Sequence, residues 1–167
     1  MIAALRTMLR SDHASAAAEM ALSLPVLMGL IFGAMELGNY FLSEHKVVKA
    51  VRDGARYAAR RPFTDYDVSC TPSSDVVTAT QNVTRTGTLN GAGTPRMGYW
   101  TDPATIDVTG ECDTSGTYTG IYATSPVGTP VVTVVATVPY TPVLGQLGLI
   151  DATLTLSARS EAAVTGI

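Results

Sequence analysis

The sequence predicts an α+β protein in which one long N-terminal helix, membrane-spanning and then amphipathic, packs on a small antiparallel β-sheet domain. Three observations lead there. No charged residue occurs from Met20 to Met35. The apolar pattern then continues at helical spacing to Ala58 and meets a stop at Pro62. Beyond Pro62 lysine disappears, and stretches rich in Thr and Val alternate with the two-residue period of strands. At 167 residues the chain has room for one modest domain and an extended element.

The first half of the helix comes from the uncharged run, which Ala14–Ala18 and Leu37–Leu42 extend on either side. Residues 14–42 as one helix measure about 43 Å at 1.5 Å per residue, ample for a hydrocarbon core of about 30 Å. A cleavable secretory signal has an apolar core of about 7–15 residues ending in a small-x-small site. Here the run continues past Gly33 into Glu36-Leu-Gly-Asn-Tyr-Phe-Leu, so a retained membrane helix is expected over 15–42. Gly29 and Gly33 form a GxxxG pair, and Ala34 and Gly38 repeat the small-xxx-small spacing that lets helix backbones approach closely in lipid. Pro25 removes a backbone donor and crowds the preceding turn. Glu19 and Glu36 are costly in lipid and are therefore functional candidates. For Glu36 the plainer expectation is a place near the interface from which the carboxylate snorkels to water. Glu19 admits three readings: a helix-start carboxylate favoured by the macrodipole, a proton-carrying site, or part of a recognition sequence for a processing enzyme.

The second half, residues 43–61, is amphipathic. Val47, Val51, Ala55 and Ala58 form one apolar stripe, with Lys46, Lys49, Asp53, Arg56 and Arg60 on other faces. Gly54 weakens this helix by roughly 1 kcal/mol relative to alanine without stopping it. Pro62 stops it, because the residue before proline is pushed out of the helical region. The whole helix, about 15–61, would be some 70 Å long. Six basic residues against Glu44 and Asp53 give this stretch a net charge of +4, whereas residues 62–167 carry nine acids and three arginines. The acidic remainder argues against a nucleic-acid partner for the basic stripe.

Residues 62–167 read as a small α+β unit. Pro72-Ser-Ser-Asp75 opens a short helix with Val76, Thr80 and Val83 at helical spacing. Three strands follow the loop signals of Gly87–Pro103: Thr105–Thr109 with Ile106 and Val108 inward, Val131–Val138 with Val132, Val134, Ala136 and Val138 inward, and Ala152–Glu161 with Ala152, Leu154, Leu156 and Ala158 inward. Cys70 and Cys112 are consistent with one disulfide in an oxidising compartment, or with two buried thiols. Catalysis finds little support: His13 and His45 both lie outside this unit, which removes Ser-His and His-metal chemistry. Asp102, Asp107, Glu111 and Asp113 fit no regular calcium loop and read as a solvated acidic face. No catalytic residue, metal or cofactor is expected. Trp100 and Tyr99 are either an adhesive contact or part of the core.

The stretch HASAAAEMALSLPVL, followed by Phe32-Gly33-Ala-Met-Glu36-Leu-Gly38 and Ala50-Val-Arg52-Asp-Gly54-Ala55-Arg56-Tyr57-Ala58, resembles the TadE-like family, the minor pilins or pseudopilins of tight-adherence (Tad) pili within the type IV pilus superfamily. The resemblance is specific over residues 14–61 and weaker over 130–164, where the chain is similar to the family's closing strands. It implies a type IV pilin-like fold, with residues 1–14 as a leader and 62–167 as an exported domain. A prepilin peptidase would cut between Ala14 and Ser15, at a place where the family favours glycine before the cut. Glu19 would then be the fifth mature residue, pairing with the N-terminal amine of a neighbouring subunit. Partners would be other pilins, the peptidase, the inner-membrane assembly machinery and the bilayer. The localisation implied is the bacterial inner membrane with a periplasmic C-terminal domain, then the pilus. Two arginines before the apolar run and six basic residues after it would, by the positive-inside rule, place the domain in the cytoplasm instead. From another class, the competing expectation is an unprocessed, membrane-anchored periplasmic binding or adhesion domain.

Overall fold

A computed structural model describes residues 12–116, 118–123, 128–146, 148 and 154–166. Helix α1 runs from Asp12 to Ala59, 48 residues and about 72 Å, and continues through Pro25. It has two environments. Every side chain from Ala16 to Ile31 is exposed, whereas Val47, Ala50, Val51, Ala55 and Ala58 are buried along one face. The apolar stripe at i, i+4, i+8 and i+11 is therefore the surface on which the rest of the chain condenses.

The end of α1 leaves carbonyls without intrahelical partners, and side chains from distant segments take them up. The Tyr66 hydroxyl donates to the Ala58 carbonyl at 2.8 Å. Thr165 donates to the Ala59 carbonyl through both its amide, at 2.7 Å, and its hydroxyl, at 3.1 Å. Near its C-terminus the chain thus returns to the tip of α1.

Helix α2, Ser74–Thr86, starts two residues after Pro72 and ends at Gly87, whose φ of 76° makes the left-handed turn expected after a helix. It buries Val76, Thr80 and Thr84 against α1. Gly54 is the point of closest approach: a Cβ there would stand 2.0 Å from the Thr84 hydroxyl oxygen. The glycine that looks like a weakness in α1 is what lets α2 dock.

The sheet contains β1 (Ile106–Asp113), β2 (Thr129–Pro139) and β3 (Thr155–Ala163), antiparallel in the order β1-β2-β3. Its register pairs Val108 with Val134, Ile106 with Ala136, and Val138 with Leu156. One face therefore presents Ile106, Val108, Val132, Val134, Ala136, Val138 and Leu156, all buried in the core with the α1 stripe. Trp100 is 1 % exposed and belongs to this core; its Nε1–H donates to Thr105 Oγ1 at 2.8 Å, which satisfies the one polar atom of the indole.

Strand β1 extends four residues beyond the expected Thr105–Thr109. The apolar alternation fails at Gly110-Glu111-Cys112-Asp113, but another force holds this segment. Cys112 is disulfide-bonded to Cys70, with Cα atoms 5.3 Å apart. Gly110 makes room for that crossing, since a Cβ there would lie 2.1 Å from the Cys70 carbonyl oxygen. Strand β3 begins at Thr155; Leu156 is buried and Ala158 half-buried as expected, Leu154 is exposed instead, and Ala152 lies outside the described residues. A three-residue 3-10 turn, Phe63–Asp65, connects α1 towards α2, and the four-residue helix α3, Val143–Gln146, follows β2.

Candidate functional site

The candidate site is the exposed half of α1 and its junction with the domain. Of the expected processing point, the backbone at Ala14 and Ser15 is helical, and residues 1–11 of the leader lie outside the described residues. Glu19 is exposed and, among the described residues, has no hydrogen-bond or ionic partner. Pro25 sits within an unbroken helix. Gly29, Gly33 and Gly38 face open space, with no atom within 4 Å of where a Cβ would be. Their small size serves no packing among the described residues. By length and composition α1 is able to cross a membrane, and its most apolar stretch is not covered by the other described residues.

Glu36 behaves differently. Its carboxylate turns toward the domain, where snorkelling to water had been expected, and gathers three donors. The Tyr140 hydroxyl donates to Oε1 at 2.5 Å, the Val143 amide to Oε1 at 3.3 Å, and the Leu144 amide to Oε2 at 3.0 Å. Asn39 Nδ2, one helical turn on, donates to the Tyr140 oxygen at 2.7 Å. The donors come from the corner after β2, where Pro142 precedes α3 and the first α3 amides have no carbonyl partners of their own. A carboxylate beside an apolar segment needs such partners; the domain supplies them, so nothing drives the side chain outward. Tyr40 adds an edge-to-face contact with Tyr140, ring centroids 5.3 Å apart. Sequence reasoning missed Tyr140 and Asn39. The available signal was Glu36 itself, a charge that demanded donors, together with Tyr140-Thr-Pro142 at the end of an apolar strand.

Beside this clasp is an apolar groove of about 430 Å³ lined by Gly33, Glu36, Leu37, Tyr40, Tyr140, Pro142, Leu144 and Leu154. On the basic face of α1, Lys46, Lys49, Arg52, Arg56 and Arg60 are exposed. Asp53 pairs with Arg96 of the domain at 2.8 Å, so the helix and domain meet through charge as well as apolar contact.

On the outer face of the sheet Glu111, Asp113, Thr133, Arg159 and Glu161 line one shallow polar pocket, in which Arg159 is paired with Glu161. Asp107, Glu111 and Asp113 line the outer face of β1, and Asp102 instead accepts the Ala104 amide at 2.8 Å. Asp113 accepts from the Ser115 hydroxyl and amide, and these bonds hold its carboxyl below the usual range. His45 is exposed, and among the described residues no group of His, Cys, Asp and Glu is placed to hold a metal ion. Asn82 uses its amide to bond the Leu89 carbonyl.

No curated protein and no solved structure matches the chain. Over residues 14–56, which carry Glu19, Gly33, Glu36 and Gly54, the chain matches the model of the family described as TadE-like protein.

Proposed function

We propose that this chain is a non-enzymatic, membrane-anchored subunit associated with a Tad-type pilus. The observation that carries the reading lies inside the TadE-like match: within residues 14–56, α1 exposes every side chain from Ala16 to Ile31, and Glu19, Gly29 and Gly33 have no partner among the described residues. An exposed apolar helix of this length requires a bilayer, and small-xxx-small faces with an unpartnered carboxylate suit helices that associate. In this reading α1 anchors the chain in the inner membrane through about residues 15–42. The peptidase cuts between Ala14 and Ser15, and Glu19 pairs with the new amine of a neighbouring subunit at the filament's shaft, tip or base. The disulfide between Cys70 and Cys112 supports a periplasmic domain. The basic residues that oppose this orientation lie on a helix held against the domain, whereas the positive-inside rule was framed for short flanking loops.

The test is N-terminal sequencing of the protein extracted from membranes, combined with Glu19→Ala. Processing predicts a start at Ser15, and the variant is expected to insert normally while piliation is lost. An intact leader in wild-type cells, or normal piliation in the variant, rejects the assembly reading and leaves a plain membrane anchor. Protease cleavage of the domain in spheroplasts checks the orientation; protection there means a cytoplasmic domain.

A further inference from the structure

We propose that the α3 corner of the globular domain is a second membrane contact, and that the groove between it and α1 seats a phospholipid acyl chain from the leaflet on the domain's side. The proposal rests on α1 crossing the bilayer. A hydrocarbon core of about 30 Å takes about 20 helical residues. Counted from Ala16 the core ends near Met35, and counted from Met20 it ends near Asn39. Either way Glu36 and Leu37 stand within about a turn of the hydrocarbon boundary, and Gly33 within about two. The donors of Tyr140, Val143 and Leu144 are bonded to Glu36, so the corner that carries them is pinned at the same depth.

At that depth the corner presents apolar groups. Leu154 is 51 % exposed and Leu37 is 55 % exposed, and both line the same groove. Gly33 leaves its floor open, with nothing within 4 Å of a would-be Cβ. The groove is continuous with the exposed apolar surface of α1, because Gly33 and Leu37 belong to both. Its single charged group, Glu36, already has its oxygens occupied, so it offers nothing to a lipid phosphate; recognition is by apolar burial alone. Tyr40 and Tyr140 of its lining cluster with Phe41, Tyr40 lying 6.1 Å from Phe41 and 5.3 Å from Tyr140 between ring centroids, in the manner of aromatic side chains at a membrane–water interface. A second transmembrane helix is the competing occupant.

The experiment uses the full chain with its disulfide intact, reconstituted in phosphatidylcholine–phosphatidylglycerol vesicles. A bimane fluorophore is placed on Leu154→Cys, on Leu30→Cys in mid-helix, and on Val68→Cys, which is 81 % exposed on the domain. Quenching is by lipids carrying a nitroxide at acyl carbon 5 or carbon 12. The expected result is at least twofold quenching of the Leu154→Cys label by the carbon-5 lipid, deep quenching of the Leu30→Cys label, and none at Val68→Cys. Adding Gly33→Leu, which fills the floor, should halve the Leu154→Cys quenching and leave the Leu30→Cys label unchanged. A Leu154→Cys label quenched by aqueous iodide but not by lipid, beside a Leu30→Cys label that lipid quenches, overturns the groove proposal alone. Disulfide cross-linking of Leu154→Cys to Leu37→Cys of a second copy, without lipid quenching, also overturns it and assigns the groove to a helix. An unquenched Leu30→Cys label overturns the membrane-spanning reading as well.

Discussion

Replacing Gly54 by alanine sets two physical effects against each other. In an exposed helix the change should stabilise by about 1 kcal/mol, because alanine loses less backbone entropy than glycine. At Gly54 the added methyl would lie 2.0 Å from Thr84 Oγ1, 3.3 Å from Thr84 Cβ and 3.5 Å from Thr80 Cγ2. The first distance is impossible without movement. Thr84 cannot simply swing away, since its hydroxyl donates to the Thr80 carbonyl at 2.7 Å and its other branch is a methyl of similar size. Relief requires α1 and α2 to separate, which loosens Val76 against the α1 stripe. Overpacking of this kind costs typically 1–3 kcal/mol, and disturbing the Thr84 hydrogen bond adds about 1 kcal/mol. After the propensity gain, Gly54→Ala should be destabilising by about 1–3 kcal/mol. For a domain of about 100 residues each kcal/mol lowers Tm by roughly 4–8 °C. Thermal unfolding of the full chain in detergent, followed by fluorescence of the buried Trp100, reads this directly. The double variant Gly54→Ala/Thr84→Ala removes the 2.0 Å contact and should recover most of the loss, with a coupling energy of about 1 kcal/mol or more. If Gly54→Ala is as stable as the parent, the glycine is not a docking contact and the reasoning fails.

Replacing Cys70 and Cys112 together by serine opens a loop with ends 42 residues apart; loop-closure entropy sets the loss at about 4 kcal/mol, with about 2–4 kcal/mol typical of measured cases, and denaturant unfolding should show it. Burial pushes the Tyr66 phenol up to about 12, above its unfolded value near 10. That raised value contributes stability fully present below pH 10 and lost between pH 10 and 12. Tyr66→Phe should flatten the alkaline limb of a stability–pH profile, and an unchanged limb would rule this out. Glu36→Gln should weaken the clasp and speed hydrogen exchange at the Val143 and Leu144 amides by about 5–30-fold, the equivalent of 1–2 kcal/mol; equal protection in both forms would mean that the carboxylate does not hold the corner.

Much of the fold was legible because its segments obey a single period over enough residues. The α1 stripe at Val47, Val51, Ala55 and Ala58 and the β2 set from Val132 to Val138 are buried as patterned. Where local pattern and tertiary force diverged, reading failed. The second half of β1 has no apolar alternation, because a covalent crosslink and the space at Gly110 replace side-chain burial. Gly54 was legible as a weak helix residue but not as a contact, since the element it touches lies 20 and more residues away. Trp100 in a loop left core and surface both open; the structure decides through the Thr105 acceptor that satisfies its indole. The junction at Glu36 was legible only as a cost. Its donors are over 100 residues distant, two of them backbone amides with no side-chain signature.

The two glutamates of α1 test what that cost means. They are 17 residues apart, about 26 Å along one helix, and each stands at an end of the segment suited to hydrocarbon. The chain has spent an aromatic hydroxyl and two amides on Glu36 and fixed Asn39 behind the hydroxyl. Glu19 receives nothing from the described residues, and neither do the glycines between them. A buried charge without a partner is destabilising by several kcal/mol, so a fold that satisfies one carboxylate so fully has no physical reason to leave its counterpart bare in lipid. The asymmetry is resolved if the partner of Glu19 is outside the chain. On the proposed reading the Glu36 clasp fixes how the domain sits on the helix, and Glu19 remains available to a neighbouring subunit.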